Sequence, residues 1–164
     1  SALECQEQRG DDLGERMGSA FADVFSAGAE KAVLVGSDIP GLGLNELNDA
    51  FDLLESHDAV IGPASDGGYY LIGFRADTLT FAVFRDMEWG DGTVAAVTGA
   101  RLVAAGLTVA RTRILSDMDR PSDVLEFLRR EDSEGRSGWL REYLKDCIER
   151  KSGEYRGPSR EEKR

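Results

Sequence analysis

Aspartates follow three apolar segments of this sequence, at the points where strands are expected to end. Asp38 comes after "KAVLVGS", Asp66 after "DAVIGPAS", and Asp117 and Asp119 come after "LTVARTRILS". Parallel strands of an open α/β sheet end at one edge, and ligands bind there. Carboxylates gathered at such an edge repel one another unless a cation is present. The pattern therefore predicts a site for Mg²⁺ or Mn²⁺, which would hold a substrate diphosphate.

Each of these segments also has a purely structural interpretation. A single aspartate after a strand commonly forms a turn or caps a helix. The segment "SDGGYY" has the composition of a tight turn, and Asp119 precedes a helix expected to begin near Pro121. Gly67 and Gly68 would instead allow the backbone to approach a ligand. The shared position at one sheet edge, rather than any single aspartate, favours the functional interpretation.

Composition excludes several classes of protein. The 164 residues carry 31 acidic and 20 basic side chains and a formal net charge of -11, which disfavours binding to nucleic acids and to anionic membranes. The chain has only 2 cysteines and 1 histidine, too few for a structural zinc site. His57 is interpreted as a surface residue at a helix end, not as part of a Ser-His-Asp triad. Scarce cysteines indicate a reduced, cytoplasmic setting.

Hydrophobic periodicity predicts helices alternating with strands. The predicted helices cover residues 13–27, 44–57, 92–106, 120–132 and 137–151, and the predicted strands cover residues 31–38, 58–64, 68–74 and 107–114. This order predicts an α/β three-layer sandwich with a mostly parallel sheet. The connection "ASDGG" is too short for a crossover helix, so an antiparallel or irregular edge is expected there. One domain is predicted over residues 1–150, with a polar, disordered tail over residues 151–164.

Five segments resemble, in this order, one family of bacterial proteins: "QRGDDLGERM", "VLVGSDIPGL", "GPASDGGYYLIGF", "MEWGDGTV" and "SDMDRPSD". The family is DUF2064, which groups glycosyltransferase-like proteins of the GT-A superfamily of nucleotide-diphospho-sugar transferases. Some members are assigned to arsenosugar biosynthesis as glycosyltransferases. The resemblance covers residues 8–124, and "GPASDGGYYLIG" is its most specific segment. It implies a GT-A fold and transfer of a sugar from a nucleotide donor to a small-molecule acceptor.

The resemblance also implies residue roles. Asp38 resembles the aspartate that binds the metal ion and the nucleotide, and Asp119 resembles the second metal contact. Asp66 would orient the sugar or act as the base toward an acceptor hydroxyl. The residues that would read the nucleotide base are Gln8, with Gln6 as the alternative, Gly10 and Gly14. The residues that would border the donor sugar or the acceptor are Asp66, Gly67, Gly68, Tyr69 and Trp89. A half-buried core aromatic remains the alternative for Trp89.

The chain departs from the family pattern at three places. Arg120 stands where the family usually has threonine, and Asp91 and Gly92 separate Thr93 from the family's W-G pair. The family's first strand and its glycine-basic loop, of the type F-A-K-x-P-x-P-G-x-V-K-T-R, have no counterpart here. That loop is expected to hold the nucleotide phosphates. The chain is therefore expected to lack the first strands of the fold, as a fragment or as a chain completed by a partner or in a homo-oligomer.

Three functions follow from these observations. The first is metal-dependent glycosyl transfer from a nucleotide sugar. The second is nucleotidyl transfer from an NTP to a phosphorylated small molecule, with release of pyrophosphate. The third is a non-catalytic chain that associates through an uncovered sheet edge. The sequence does not distinguish the first two, because the phosphate loop that would do so is absent.

Overall fold

The computed structural model describes residues 5–129 and 138–151. The elements are α1 (Leu13–Ser26), β1 (Lys31–Val35), α2 (Leu44–Leu53), β2 (Ala59–Pro63), β3 (Tyr69–Arg75), a 3-10 turn (Phe81–Val83), α3 (Val94–Ala104), β4 (Val109–Arg111), α4 (Pro121–Arg129) and α5 (Gly138–Lys151). The chain divides into two compact units, Ser1–Asp117 and Met118–Arg164. The predicted single domain over residues 1–150 stays a prediction, and residues 152–164 of the predicted tail lie outside the described residues.

The first unit contains one four-stranded sheet with the order β1-β3-β2-β4. Strand β3 is antiparallel to both β1 and β2, and only β2 and β4 pair in parallel. The prediction of a mostly parallel sheet is therefore wrong. A parallel crossover needs about a dozen residues or more, whereas Pro63 and Tyr69 are joined by a short turn. The antiparallel pairing expected at this connection is present.

Three strands nevertheless share one direction. Strands β1 and β2 are both antiparallel to β3, and β4 is parallel to β2. The ends of β1, β2 and β4 and the start of β3 therefore lie at the same edge of the sheet, which we call the carboxyl edge. The aspartates that follow β1 and β2 are placed at this edge by a mixed sheet, without the parallel order that the sequence suggested.

Helices of the first unit pack against both faces of the sheet. On one face, the core cluster includes Met17 and Phe21 from α1 and Leu102 from α3. On the other face, Ala50 from α2 and Leu54, the residue after α2, belong to a second cluster. Because β2 and β3 are covered on both sides, their sequences are continuous apolar runs rather than alternating patterns. Burying one large apolar side chain contributes about 1.5–3 kcal/mol.

Local hydrogen bonds fix where the helices begin. Asp12 precedes α1, and its carboxylate accepts the N–H of Glu15 at 2.8 Å. Glu15 in turn accepts the N–H of Asp11 at 2.8 Å. Helix α2 ends at Leu53, before the predicted residue 57, and the N–H of His57 still donates to the Leu53 carbonyl at 3.0 Å. Strand β4 is shorter than the strand predicted over residues 107–114, because its regular pairing with β2 ends at Arg111.

The second unit contains α4 and α5. The Arg141 guanidinium of α5 lies 4.5 Å from the centre of the Phe127 ring of α4. It also donates a hydrogen bond of 3.3 Å to the Leu128 carbonyl. These contacts join the two helices within the unit. Across the two described ranges, no helix combines the length and the apolar character that crossing a membrane requires.

Asp58 connects the starts of β2 and β4 through hydrogen bonds, at the edge opposite the carboxyl edge. Its carboxylate accepts the N–H of Thr108 at 2.8 Å and the Thr108 hydroxyl at 2.7 Å. These hydrogen bonds hold the pKa of Asp58 below its ordinary value of 3.8, and the nearby Arg75 guanidinium lowers this pKa further. The ionised carboxylate is therefore the form that stabilises this pair of strands.

We expect Asp58→Ala to lower the melting temperature at pH 7, because the hydrogen bonds to Thr108 are lost. The pKa of Asp58 is lower in the folded state, so its contribution is complete above the unfolded pKa and disappears as the pH falls through the folded pKa. The difference from wild type should therefore narrow below pH 3.8. Asp52→Ala, the same change of charge on an exposed residue of α2, is the control. A difference that stays constant from pH 7 to about pH 2 would contradict this role.

Candidate functional site

Three segments of the first unit come together at the carboxyl edge. Residues 36–43 follow β1, residues 64–68 connect β2 to β3, and residues 112–117 follow β4. The third segment continues the parallel pairing beside the second, since the N–H of Leu115 donates to the Pro63 carbonyl at 3.1 Å. The three segments form the framework of the candidate site.

Leu115 also connects the first of these segments to the third. A β-carbon placed on Gly41 would lie 3.3 Å from a methyl carbon of Leu115. The carbonyl of Leu115 accepts the N–H of Ser65 at 2.9 Å. Leu115 therefore contacts both of the other segments, which start from different strands of the sheet.

Asp38 is an exposed residue between two anchored neighbours. The N–H of Gly36 donates to the Tyr70 carbonyl at 2.9 Å, which extends the pairing of β1 with β3. Ile39 is only 8% exposed and belongs to the core cluster that contains α2. Its carbonyl accepts the N–H of Leu42 at 3.0 Å. The structure thus holds the backbone on both sides of Asp38 and leaves its carboxylate accessible at the carboxyl edge.

Asp66 forms the tight turn between β2 and β3. Its Oδ1 accepts the N–H of Gly68 at 2.8 Å. The turn is closed by Ala64, whose N–H donates to the Gly68 carbonyl at 2.9 Å and whose carbonyl accepts the N–H of Gly67 at 3.2 Å. In the described part of the chain, Oδ2 of Asp66 has no hydrogen-bond partner. Asp66 therefore has the turn-forming role that its sequence context suggested. Its second carboxylate oxygen, on an exposed residue, remains available to a ligand.

Gly67 brings this turn against the loop of residues 89–93. Its φ is +90°, and a β-carbon there would lie 1.7 Å from the Gly92 carbonyl oxygen. The carbonyl of Gly67 accepts the N–H of Ala95 at 3.0 Å. Two of the motifs singled out in the sequence therefore contact each other, and a side chain at residue 67 does not fit between them.

Tyr69 and Trp89 also lie together. Their ring centres are 6.5 Å apart and their planes meet at 81°. The Tyr69 hydroxyl donates to the sulfur of Met17 at 3.7 Å, and burial raises the pKa of this phenol. Both rings pack against the core cluster of α1 and α3. The structure gives both aromatics a packing role beside the turn that they were expected to share with a substrate.

The inserted residues before Thr93 have a local explanation. The carboxylate of Asp91 accepts the N–H and the hydroxyl of Thr93, both at 2.8 Å. The hydrogen bond from the Thr93 N–H holds the pKa of Asp91 below its ordinary value. Thr93 is the residue from which α3 starts. Asp91 thus stabilises the start of α3, which fixes one end of the loop that carries Trp89.

The predicted nucleotide-binding residues near the N-terminus lie on and before α1. Gly14 is buried, and a β-carbon there would lie 2.5 Å from the Phe84 carbonyl oxygen, so packing alone explains this glycine. The carbonyl of Gly10 accepts a hydrogen bond of 3.1 Å from Arg16, and Gln8 is exposed. Binding of a nucleotide base by these residues stays a prediction.

Asp119 belongs to the second unit. There the side chain of Asp123 accepts the N–H of Asp119 at 3.2 Å and the N–H of Arg120 at 2.8 Å. Asp123, rather than Asp119, therefore supplies the carboxylate that stabilises the start of α4. The pairing of Asp119 with Asp38 as metal ligands stays a prediction.

The donor groups of the described residues bear on whether a divalent ion could bind. Residues 5–129 and 138–151 contain no group of three or more His, Cys, Asp or Glu side chains placed to hold a metal ion. Mg²⁺ commonly takes only one or two carboxylates from the protein and completes its coordination with substrate phosphates and water. An exposed carboxylate on an anchored segment fits that mode of binding, and Asp38 meets this description.

Sequence patterns did not indicate a polar cluster that lies under the carboxyl edge. Glu46 is only 2% exposed and forms an ion pair with Arg113. The Tyr70 hydroxyl is 2.8 Å from the Thr112 hydroxyl and donates to the Arg113 carbonyl at 3.1 Å. Glu46 also accepts the N–H of Gly43 at 2.7 Å, which is the common role of a glutamate in the first turn of a helix. That local role conceals the distant pairing with Arg113.

Alanine substitutions at Gly67 and Gly90 should differ, although both residues have φ of +90°. The shared backbone strain costs about 1–2 kcal/mol of the free energy of unfolding. Gly67→Ala should lose about 1–3 kcal/mol more, because overpacking is added, whereas no atom lies within 4 Å of a β-carbon on Gly90. Urea denaturation of both variants measures the difference. Equal losses would show that the contact between residues 67 and 92 is unimportant.

Two comparisons place the chain among known proteins. The model of the family DUF2064, described as "Uncharacterized protein conserved in bacteria", matches residues 1–91. A crystal structure from Desulfovibrio desulfuricans G20, described as a "putative nucleotide-diphospho-sugar transferase", is 37% identical with a TM-score of 0.78. The match covers 88% of this chain and 64% of that one, so the present chain spans less than two thirds of that protein.

No curated protein matches the chain. The family match extends over more than half of the chain and contains β1 to β3, with the segment of Asp38 and the turn of Asp66. On this basis, the chain belongs to the DUF2064 family.

Proposed function

We propose that the chain is part of a metal-dependent glycosyltransferase of the GT-A type, which uses a nucleotide-activated sugar as donor. The observation that carries this proposal is the exposed carboxylate of Asp38 on an anchored segment at the carboxyl edge. Strands that end at one edge are the usual setting for ligands in α/β proteins. The similarity to the Desulfovibrio protein supports a nucleotide-diphospho-sugar as the class of donor.

Asp38 would hold Mg²⁺ or Mn²⁺ together with the donor diphosphate. When bound, the ion supplies stabilisation of the negative charge that develops on the departing nucleoside diphosphate. The turn of residues 64–68 borders the donor sugar or the acceptor. Gly67 and the loop of residues 89–93 set the shape of that border through their direct contact.

Asp66 is the proposed base toward an acceptor hydroxyl. A general base must be held within hydrogen-bonding distance of the proton that it removes. The hydrogen bond from the Gly68 N–H to Oδ1 fixes the carboxylate. Oδ2 then remains to receive the proton from the acceptor.

Asp38→Asn should weaken the binding of nucleoside diphosphates in the presence of Mn²⁺ by about tenfold or more, since loss of even an outer partner of a metal site commonly has that effect. Calorimetric titration with UDP, GDP, ADP and CDP, each with MnCl₂, measures the affinity. Asp52→Asn makes the same change of charge on an exposed residue of α2 and should bind like wild type. If both variants bind equally well, Asp38 is not a ligand of the metal ion.

Asp66→Asn should lower the activity while the turn between β2 and β3 is kept. The amide oxygen of asparagine still accepts the Gly68 N–H, so the melting temperature should stay close to that of wild type. Release of nucleoside diphosphate from the donor should fall by about 10²–10⁴-fold, because the base is lost. Asp66→Ala, which also removes the hydrogen bond of the turn, should lose activity and stability together.

The products distinguish the proposed reaction from its alternatives. Glycosyl transfer releases a nucleoside diphosphate, whereas nucleotidyl transfer releases pyrophosphate. Undiminished donor turnover in Asp66→Asn would remove this residue from catalysis. Absence of nucleotide binding would favour a non-catalytic chain that acts by association.

A further inference from the structure

The ion pair of Glu46 and Arg113 places an unusual charge beneath the carboxyl edge. The side chain of Glu46 is 3% exposed, whereas that of Arg113 is 49% exposed. A buried carboxylate is stable only when it is paired and hydrogen-bonded. Glu46 meets this requirement through Arg113 and through the Gly43 N–H at 2.7 Å. The pair therefore has one buried end and one end that reaches solvent.

The accessible end is a preoriented cation. One nitrogen of the Arg113 guanidinium contacts Glu46, and the Arg113 carbonyl accepts the Tyr70 hydroxyl at 3.1 Å. A guanidinium has five N–H donors. Among the residues that the structure describes, the remaining donors of Arg113 have no partner. Both the backbone and the tip of this side chain are thus fixed, with hydrogen-bonding capacity left over.

Arg113 lies in the segment that joins the candidate site together. It is two residues from Leu115, which contacts Gly41 in the Asp38 segment. Arg111, by contrast, lies against Gly99 of α3, whereas Arg113 pairs with α2, so these two arginines occupy opposite faces of the sheet. In a chain with a formal net charge of -11, a fixed cation at this edge provides local attraction for an anion.

We propose that Arg113 binds the diphosphate of the nucleotide donor and that Glu46 is a positioning residue that holds its guanidinium. This rests on the proposed function, because it takes the diphosphate from that assignment. The planar guanidinium matches phosphate oxygens and binds them more specifically than an ammonium group does. The pairing with buried Glu46 occupies one nitrogen of the guanidinium and leaves its other donors for an anion.

The test uses the 164-residue chain, with inorganic pyrophosphate and the four nucleoside diphosphates as probes, each with MnCl₂. Arg113→Met alone would remove the arginine that pairs with the buried Glu46 carboxylate and could destabilise the fold, so the decisive variant is the double change Arg113→Met with Glu46→Gln, which removes both charges. Glu46→Gln alone keeps the guanidinium. Arg111→Met is the control for loss of a cation on the other face. Melting temperatures establish that each variant is folded.

The double variant should bind pyrophosphate and nucleoside diphosphates about tenfold or more weakly than wild type, as expected for the loss of a charged hydrogen bond. Arg113→Lys should recover only part of this loss. Glu46→Gln should weaken binding by less than the double variant does. Arg111→Met should bind like wild type. A folded double variant that binds like wild type would overturn the proposal and show that the pair is only structural.

The outcomes also separate this inference from the proposed function. If wild type binds pyrophosphate through Arg113 but binds no nucleotide, the anion site stands and the nucleotide-sugar assignment fails. If nucleotides bind and the double variant binds them equally, the assignment stands and the role of Arg113 fails. If wild type binds neither kind of probe, both are overturned.

Discussion

The pairing of β3 with strands on both of its sides is the interaction on which the rest of the first unit depends. Because β3 is antiparallel to both β1 and β2, those two strands end at the same edge of the sheet. The turn that reverses the chain into β3 is itself part of that edge, and it is formed by the Asp66 carboxylate and the Gly68 N–H. One topological reversal therefore creates both the framework of the candidate site and one of its acidic groups.

Both polar contacts and apolar burial hold the segments at the carboxyl edge in place. Ile39 and Leu54 are buried in the cluster on the α2 face, and they anchor the segments on which Asp38 and Glu46 stand. The pair of Glu46 and Arg113 joins the first turn of α2 to the segment that follows β4. An exposed carboxylate and a half-exposed guanidinium are thus carried by backbone that has little freedom to move.

Much of the fold was predictable because its signals are local. Apolar periodicity indicated α1, and the connection before Tyr69 is too short for a crossover, so both the helix and the antiparallel pairing followed from residues close together in the chain. The overall strand directions did not follow, because pairing between distant strands leaves no pattern in either strand alone. The same reason concealed Arg113, whose partner Glu46 belongs to another element. Gly14 has a packing role that the sequence did not indicate, since a β-carbon there would lie 2.5 Å from the Phe84 carbonyl oxygen.

The contact between Gly67 and the Gly92 carbonyl has a consequence for redesign of this family. Two loops from different parts of the chain share one surface with no room for a side chain between them. Neither loop is therefore an independent module: a longer or bulkier graft at one would displace the other. Chimaeras between family members should exchange the two loops together. Where family members differ in the length of one loop, the other loop is expected to differ as well.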